Sequence, residues 1–402
     1  MTDLQQPRIQ SPLRNDIGIL ALLALIAAFP SIGVDLLLPG LPGLASDLRV
    51  PSESAKQAVQ VFFLGFAAAH LFLGPLSDRC GRRPILLTGI AAYTIASLGC
   101  AFTGDLPVLL ALRAAQGVFG AAGIILARAI ISDIYGPAGT TKAMAGMFMF
   151  FVPIPIVLPI LGGALVAYSG WEAVFVTMAA IGALAGIIVW RRLPETLPAV
   201  DVTNTTARNW IGVVKRIFGN RQFLRNSLSV TFCFGALVLM MSELPYILND
   251  YFQFGPRQIG YSFALIDTAL AAGVYSVRAL VPRYGIDRTV YIGLFAMVAG
   301  WLCILGLLML GVIELRFLIA EAMVGCFGMG ILMSLAAGEA MVPFSANAGT
   351  ASSFYGTLLY GGATGLAWLL GRLVGGSILV ISMEISMLAI AALAIYWLLR
   401  PR

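Results

Sequence analysis

Apolar residues run through this chain in long stretches separated by short polar gaps. The stretches lie at 17–39, 55–76, 84–103, 106–130, 142–166, 173–190, 223–247, 258–281, 289–311, 316–338, 352–375 and 383–399. Each is near the length of about 20 residues that carries a helix across the hydrocarbon core of a bilayer. Twelve membrane-spanning helices are therefore predicted, with loops too short to hold a soluble domain. The longest polar stretch, 191–222, carries Arg191, Arg192, Lys215, Arg216 and Arg221, and 208–219 within it is predicted as a surface helix. It divides the chain into an N-terminal bundle of six helices at 1–190, a cytoplasmic linker at 191–222 and a C-terminal bundle of six at 223–402.

Composition fixes the class. Charged residues make up 11% of the chain and apolar residues 59%, against about 25% charged in soluble domains, and the mean hydropathy is +0.92. The net charge of +6 does not call for nucleic acid. On the predicted topology most Lys and Arg fall on one side, which is the positive-inside asymmetry and puts both termini in the cytoplasm. Residues 1–16 are polar and no cleavage site precedes the first span, so no removable leader is expected. Cys80, Cys100, Cys233, Cys303 and Cys326 form no CxxC and read as small packing residues. One histidine, His70, allows no His-rich metal site, and no HExxH, GxSxG or Walker A run is present. An enzyme, a metal centre and a bound cofactor are not expected.

The gap between the second and third spans reads Gly74-Pro-Leu-Ser-Asp-Arg-Cys-Gly-Arg-Arg-Pro84. Such a density of charge must face water, and its arginines mark that water as cytoplasmic. Asp78 near a helix C-terminus opposes its own helix dipole, so it should cap another helix or pair with Arg79, Arg82 or Arg83. A basic turn that only fixes orientation is the simpler reading. The run resembles the signature loop of the major facilitator superfamily, G-x-L-x-D-R-x-G-R-R, in its usual place between the second and third helices. The resemblance implies the major facilitator fold, two pseudo-symmetric six-helix bundles. It also implies a gating role for Gly74, Asp78, Arg79, Gly81, Arg82 and Arg83, which would hold the bundles together on the cytoplasmic side.

Two further segments carry the resemblance. Arg113-Ala-Ala-Gln116-Gly117 in the fourth span places an arginine in hydrocarbon with Gln116 on the same helical face. Gly117, Gly120 and Gly123 follow at a spacing that permits close helix contact. The segment is similar to the superfamily's R-x-x-Q-G motif, which implies a part for Arg113 in proton coupling. In the fifth span, Pro153, Pro155 and Pro159 remove backbone donors and should bend the helix. Pro159, Gly162 and Gly163 match the antiporter motif G-P-x-x-G-G, with Leu158 in place of its first glycine, and so join the gating set.

Asp35, near the outer end of the first span, is an ionisable group where one is expensive. It either carries a proton or is a hydrated structural group. His70 reads as a hydrogen-bonded packing residue or a relay, and its role stays open with those of Asp267, Glu321 and Arg372. Repeat matches pair Pro42–Asp47 with Pro245–Asp250, the signature loop with Leu280–Arg288, and Arg113–Gly117 with Glu321–Gly325. On that alignment Asp35 and Glu243 both line the outer part of a central cavity. Phe29, Phe62, Phe66, Phe234 and Tyr246 either furnish its apolar wall or pack helices.

Pro39-x-x-Pro42, Arg128 to Asp133, Leu193-Pro-Glu-Thr-Leu-Pro198 and Pro245-Tyr-Ile narrow the resemblance to the bicyclomycin-resistance (Bcr/CflA) branch of the drug:proton antiporters. That resemblance implies a monomeric bacterial inner-membrane protein that exports a small amphipathic compound against proton entry by alternating access. Asp35 would then exchange the proton and bind substrate, with Arg113 tuning it. The alternative is a dedicated exporter of a polar metabolite such as an amino acid, a siderophore or a metallophore. Small-molecule substrate, protons and the lipid bilayer are the expected partners.

Overall fold

The computed structural model describes residues 16–197, 207–373 and 377–400. The polar N-terminus, the middle of the linker with Pro198, and the side chain of Arg372 lie outside the described residues. Among the described residues the chain is helical throughout. Ten helices are long and apolar enough to cross a membrane, or eleven if one bent pair is a single span. The bent pair is α1 (Ile17–Ala27) and α2 (Phe29–Asp35), the latter continuing through a 3₁₀ turn at Leu38–Gly40 into α3 (Leu41–Asp47). Pro30 in the first turn of α2 explains the break, since it cannot donate to the preceding turn.

The other spans of the first half are α4 (Ser52–Cys80), α5 (Arg82–Phe102), α6 (Leu106–Gly136), α7 (Lys142–Ser169) and α8 (Glu172–Arg192). The expected surface helix is present as α9 (Ala207–Phe218). It is followed by α10 (Arg221–Asp250), α11 (Pro256–Tyr284), α12 (Ile286–Met309), α13 (Leu315–Met341) and α16 (Ile378–Leu398). The predicted span at 352–375 is three pieces in succession: α14 (Ala348–Gly356), a π-helical turn (Thr357–Gly362) and α15 (Ala363–Leu373). The π turn widens the helix where His70 of α4 presses on it, and a Cβ at Gly356 would stand 2.2 Å from the imidazole.

Helices of the first half pack chiefly on one another through α6, and those of the second through α13 and α10. The glycines of α6 make the first arrangement possible. A Cβ at Gly117 would lie 2.0 Å from the Phe62 carbonyl oxygen of α4, and one at Gly123 1.9 Å from that of Ile26 in α1. Contacts between the halves run chiefly along two seams, α7 on α11 and α4 on the α14–π–α15 run, with a smaller contact where α10 meets α3 and the start of α4. At the first, Gly163 meets the Pro256 carbonyl and Gly260 that of Pro159, while Gly162 packs within the first half on the Leu36 carbonyl. Along α7, Val152 keeps helical dihedrals and its N–H bonds the Phe148 carbonyl at 3.0 Å, and the ladder loses donors at Pro153, Pro155 and Pro159. Of the cysteines, Cys100, Cys233 and Cys326 are buried as expected of packing residues, whereas Cys80 and Cys303 are exposed.

Gly117→Ala should lower stability by roughly 1–3 kcal/mol, because neither the Phe62 carbonyl nor its helix can move aside. Gly365→Ala, where no atom lies within 4 Å of the new methyl, should be neutral or up to about 1 kcal/mol stabilising. Thermal unfolding of the detergent-purified variants separates the two; equal behaviour would remove the packing argument.

Candidate transport cavity and its gates

The signature loop folds into a tight cap. Gly81 has φ +94°, a conformation that an L side chain rarely adopts, and it ends α4 so that α5 begins at Arg82. The free N–H groups at the start of α5 meet the Glu195 carboxylate, Arg82 N–H at 2.9 Å and Arg83 N–H at 3.1 Å. Thr196 and Leu197 donate to the same carboxylate at 2.9 and 3.0 Å. A Cβ at Gly81 would sit 2.6 Å from Glu195 Oε2, so only glycine admits the carboxylate. The Leu193–Leu197 run, read from the sequence only as a branch marker, is thus the anion that closes the signature loop. Burial pushes the Glu195 carboxyl up, but the four backbone donors outweigh it and hold it below its ordinary value.

Arg82 pairs with Asp78 and with Asp133 of α6 at 3.2 Å, and donates to the Ser77 hydroxyl at 2.6 Å. Arg83 donates to the Trp190 carbonyl of α8 at 2.6 Å. Arg79 is exposed on the last turn of α4, and Gly74 has open space around it. Asp78 itself is exposed and pairs with Arg82 within its own loop, one of the partners the sequence offered. The second half repeats the turn: Gly285, between α11 and α12, has φ +76°. There Asp287 accepts from Arg225 at 2.8 Å and from the Tyr396 hydroxyl at 3.0 Å.

Beside the signature loop lies a cavity of about 420 Å³ walled by α4, α6, α13, α14 and the π turn. Its polar lining includes His70, Asp78, Arg82, Arg128, Ser353 and Tyr360. His70 Nδ1 is 2.9 Å from the Phe66 carbonyl oxygen, and its ring lies against Phe66 and Tyr360. Behind them Phe63, Phe234 and Tyr360 form a mutually contacting aromatic layer across the seam between the halves.

The residues expected to line an outer cavity are all buried in this conformation, and none borders the open one. Phe29 stacks on Tyr93 at 4.7 Å, and Phe62 covers the Arg113 guanidinium at 4.6 Å. Phe66 meets His70 and Tyr360, and Phe234 meets Phe63. Tyr246 donates to the Leu41 carbonyl at 3.1 Å, across the interface. Glu243 is bound to Lys56 of α4 at 2.7 Å. Asp35 ends α2 at the α7 contact and lies within electrostatic reach of Asp267 on α11. That proximity of two acidic residues across the interface was not foreseen: the sequence named Asp267 only as a span residue of open role.

Arg113 is fully buried, and among the described residues no carboxylate pairs with it. Its Nε donates to the Ala58 carbonyl at 2.9 Å and its Nη1 to Gln116 Oε1 at 2.8 Å, while Phe62 and Phe175 face its plane. Gln116 passes the chain on to Ser97 at 2.7 Å. The shared face of Arg113 and Gln116 is thus spent on ordering α4, α5 and α6. Glu321, at the equivalent position of α13, is buried beside Cys303.

A sequence model of the Major Facilitator Superfamily matches residues 23–364. A bicyclomycin resistance protein homolog of Haemophilus influenzae is 29% identical over 348 residues, 84% of this chain and 85% of its own length. The chloramphenicol resistance protein CraA of Acinetobacter baumannii is 29% identical over 334 residues, covering 82% and 79%. The multidrug resistance protein MdtL of Escherichia coli is 28% identical over 352 residues, covering 86% of each. Among solved structures, a D-xylose–proton symporter superposes with TM-score 0.76 at 15% identity, over 96% of this chain and 98% of its own. That likeness concerns the fold alone.

A carboxyl held below its ordinary value stabilises the folded state above the unfolded pKa and loses that contribution as pH falls through the folded one. The detergent-purified protein should therefore lose melting temperature on acidification below the ordinary glutamate range. Glu195→Gln should start lower at neutral pH and lose less over the same window. Parallel melting curves for the two proteins would show that Glu195 does not cap α5.

Proposed function

This chain belongs to the Major Facilitator Superfamily, and we propose that it exports small amphipathic compounds, antibiotics among them, across the bacterial inner membrane in exchange for protons. The observation that carries the reading is the cavity: a site of about 420 Å³ walled by both halves at the signature-loop end, while Asp35, Glu243 and Tyr246 are buried away from it. Its size falls in the range of small-molecule sites, roughly 300–1,000 Å³. Relatives named for resistance to bicyclomycin, chloramphenicol and multiple drugs, each matched over most of its length, support the substrate class.

In this reading α1 through α3 make one broken span and α14 through α15 another, giving twelve spans in two bundles of six with the linker and both termini in the cytoplasm. The signature-loop end is then cytoplasmic, and the conformation is inward-facing. Asp78, exposed here, engages the other bundle when the inner end closes. His70 and the aromatic layer form the roof that a cytoplasmic substrate meets first. Rocking about the glycine seams of α7 and α11 opens the outer end.

Proton exchange is assigned to Asp35. Asp35 and Asp267 come from opposite halves and lie within electrostatic reach of each other, and two such carboxylates repel unless a proton or a cation sits with them. Protonation of the Asp35–Asp267 pair therefore favours the closed outer end, and its release favours opening. Arg113 acts at one remove, by holding α4, on which Phe62 rests against Gly33 two residues before Asp35.

Asp35→Asn should abolish drug efflux driven by a proton gradient while leaving drug binding to the purified protein within a few-fold of wild type. Efflux measured with and without an uncoupler, across dyes, antibiotics and polar metabolites, tests both parts. Undiminished gradient-driven efflux in Asp35→Asn would remove the proton assignment. Altered secretion of one metabolite with unchanged drug tolerance would favour a dedicated metabolite exporter.

A further inference from the structure

One cation of the cavity has no partner among the described residues. Arg128 of α6 lines the cavity and is exposed, and it makes neither an ion pair nor a hydrogen bond there. The charges at the mouth are already matched. Arg82 is held by Asp78 and Asp133, and Asp78 is the one carboxylate among the described lining residues. A helix rises about 1.5 Å per residue, so Arg128 stands roughly 7 Å further along α6 from the loop than Asp133 does. An ion at such depth needs a counter-charge, and one that the protein leaves unmatched marks where a ligand supplies it. The second half contributes the rest of the site. Ser352, Tyr355 and Leu359 recur at helical spacing on the face of α14 and the π turn that borders the cavity. The hydroxyls of Ser352, Tyr355 and Tyr360 have no hydrogen-bond partner among the described residues, and none of them is shut off from solvent. Each is free to donate. His70 offers no further donor: its Nδ1 lies 2.9 Å from the Phe66 carbonyl oxygen, which can only accept, so a neutral ring keeps its proton there. Its ring and that of Tyr360, with centroids 5.4 Å apart, make an aromatic surface instead.

We propose that Arg128 sets the specificity of this cavity, and that the compound it selects is an aromatic amphiphile with one acidic group, a carboxylate or a sulfonate. The anion lies against the guanidinium, whose planar fork of N–H donors matches two acid oxygens. Ser352 and Tyr355 supply further donors, and the aromatic body of the ligand packs against Tyr360 and His70. A cationic amphiphile meets Arg128 as a like charge, and a neutral one keeps the apolar contacts without the charged one. Arg128 comes from the first half and the three hydroxyls from the second, so a bound acid touches both bodies that rock. An anion leaving the cytoplasm also runs with a membrane potential that is negative inside, so substrate and proton draw on the same field. The assignment rests on the export reading for the claim that substrate sits in this cavity.

Three probes that share one ring system test it on the purified full-length protein in detergent: 1-naphthylacetate, 1-naphthylacetamide and 2-(1-naphthyl)ethylamine. At neutral pH the first is an anion, the second uncharged and the third a cation. The acid should raise the melting temperature with saturation, at an apparent affinity about tenfold or more better than either of the others, the effect of one charged contact. Arg128→Gln should bring acid and amide within about twofold of each other. Without ligand that variant should melt no lower than wild type, because no partner loses a contact. Arg128→Lys, which keeps the charge without the fork, should hold an intermediate preference and serves if Arg128→Gln does not accumulate. Equal affinity for acid and amide in wild type, or an acid preference that survives Arg128→Gln, would overturn the assignment. So would a rise given by phosphatidylglycerol alone and lost in Arg128→Gln, which would make the anion a lipid headgroup. Wild type that prefers the amide or the amine leaves the export reading standing. An Arg128-dependent acid site in a protein without gradient-driven efflux removes that reading and leaves the site.

Discussion

An ion held in the low-dielectric interior of a membrane must be compensated where it sits, and this chain arranges its helices around the few such ions it keeps. Arg113 lies wholly inside the first half and is compensated without a carboxylate, by a carbonyl, an amide and two aromatic faces. Arg225 is tied to Asp287 and Tyr396 within the second. Both join helices of one half to each other and so stiffen it. Lys56 and Glu243 instead join one half to the other. Removing one partner of a buried pair is strongly unfavourable, but parting the two into water rehydrates both and recovers much of the loss. The same chemistry is therefore a rivet inside a half and a catch between halves.

Backbone contact follows the same division. Gly117 and Gly123 let α6 lie directly on the carbonyls of α4 and α1, and they sit beside the Arg113 network that ties those helices. Gly163 and Gly260 give α7 and α11 an equally close approach, with no ion pair across that seam among the described residues. Among them the one charged contact across it is at its end, where the Arg257 guanidinium lies 4.2 Å from the centroid of the Tyr168 ring; along the rest, small residues set backbone against backbone. Close packing reinforced by charge makes a body; close packing alone makes a bearing.

The spans were legible because hydropathy depends on composition over about 20 residues: the predicted 84–103 and 106–130 became Arg82–Phe102 and Leu106–Gly136. The span at 352–375 hid its π turn, because that turn answers to His70 of another helix and leaves no mark in local hydropathy. The signature loop was readable as a motif, yet its anion was not. Glu195 lies more than a hundred residues away, and only folding brings it to the N–H groups of α5. Lys56 escaped notice for a related reason. A lone lysine one turn inside a span reads as snorkelling to the surface, whereas here it is drawn inward by Glu243. Charges were visible individually, but their pairing across the two halves is a property of the packing.

The positions of Asp35 and the cavity bear on how coupling works in the proposed cycle. Asp35 ends α2, and Phe62 covers Gly33 just before it. One turn further along α4, Phe66 carries His70 and Tyr360, which border the cavity. Aromatic side chains thus occupy the space from the level of the acid to the roof of the site. Phe63, Phe234 and Tyr360 come from both halves, so their contacts cannot survive a relative tilt unchanged. A rigid partition would separate proton from substrate and prevent exchange; an open one would let protons leak. A partition built from rings contributed by both moving bodies opens only as the bodies change register, which ties access to the acid to the state of the cavity.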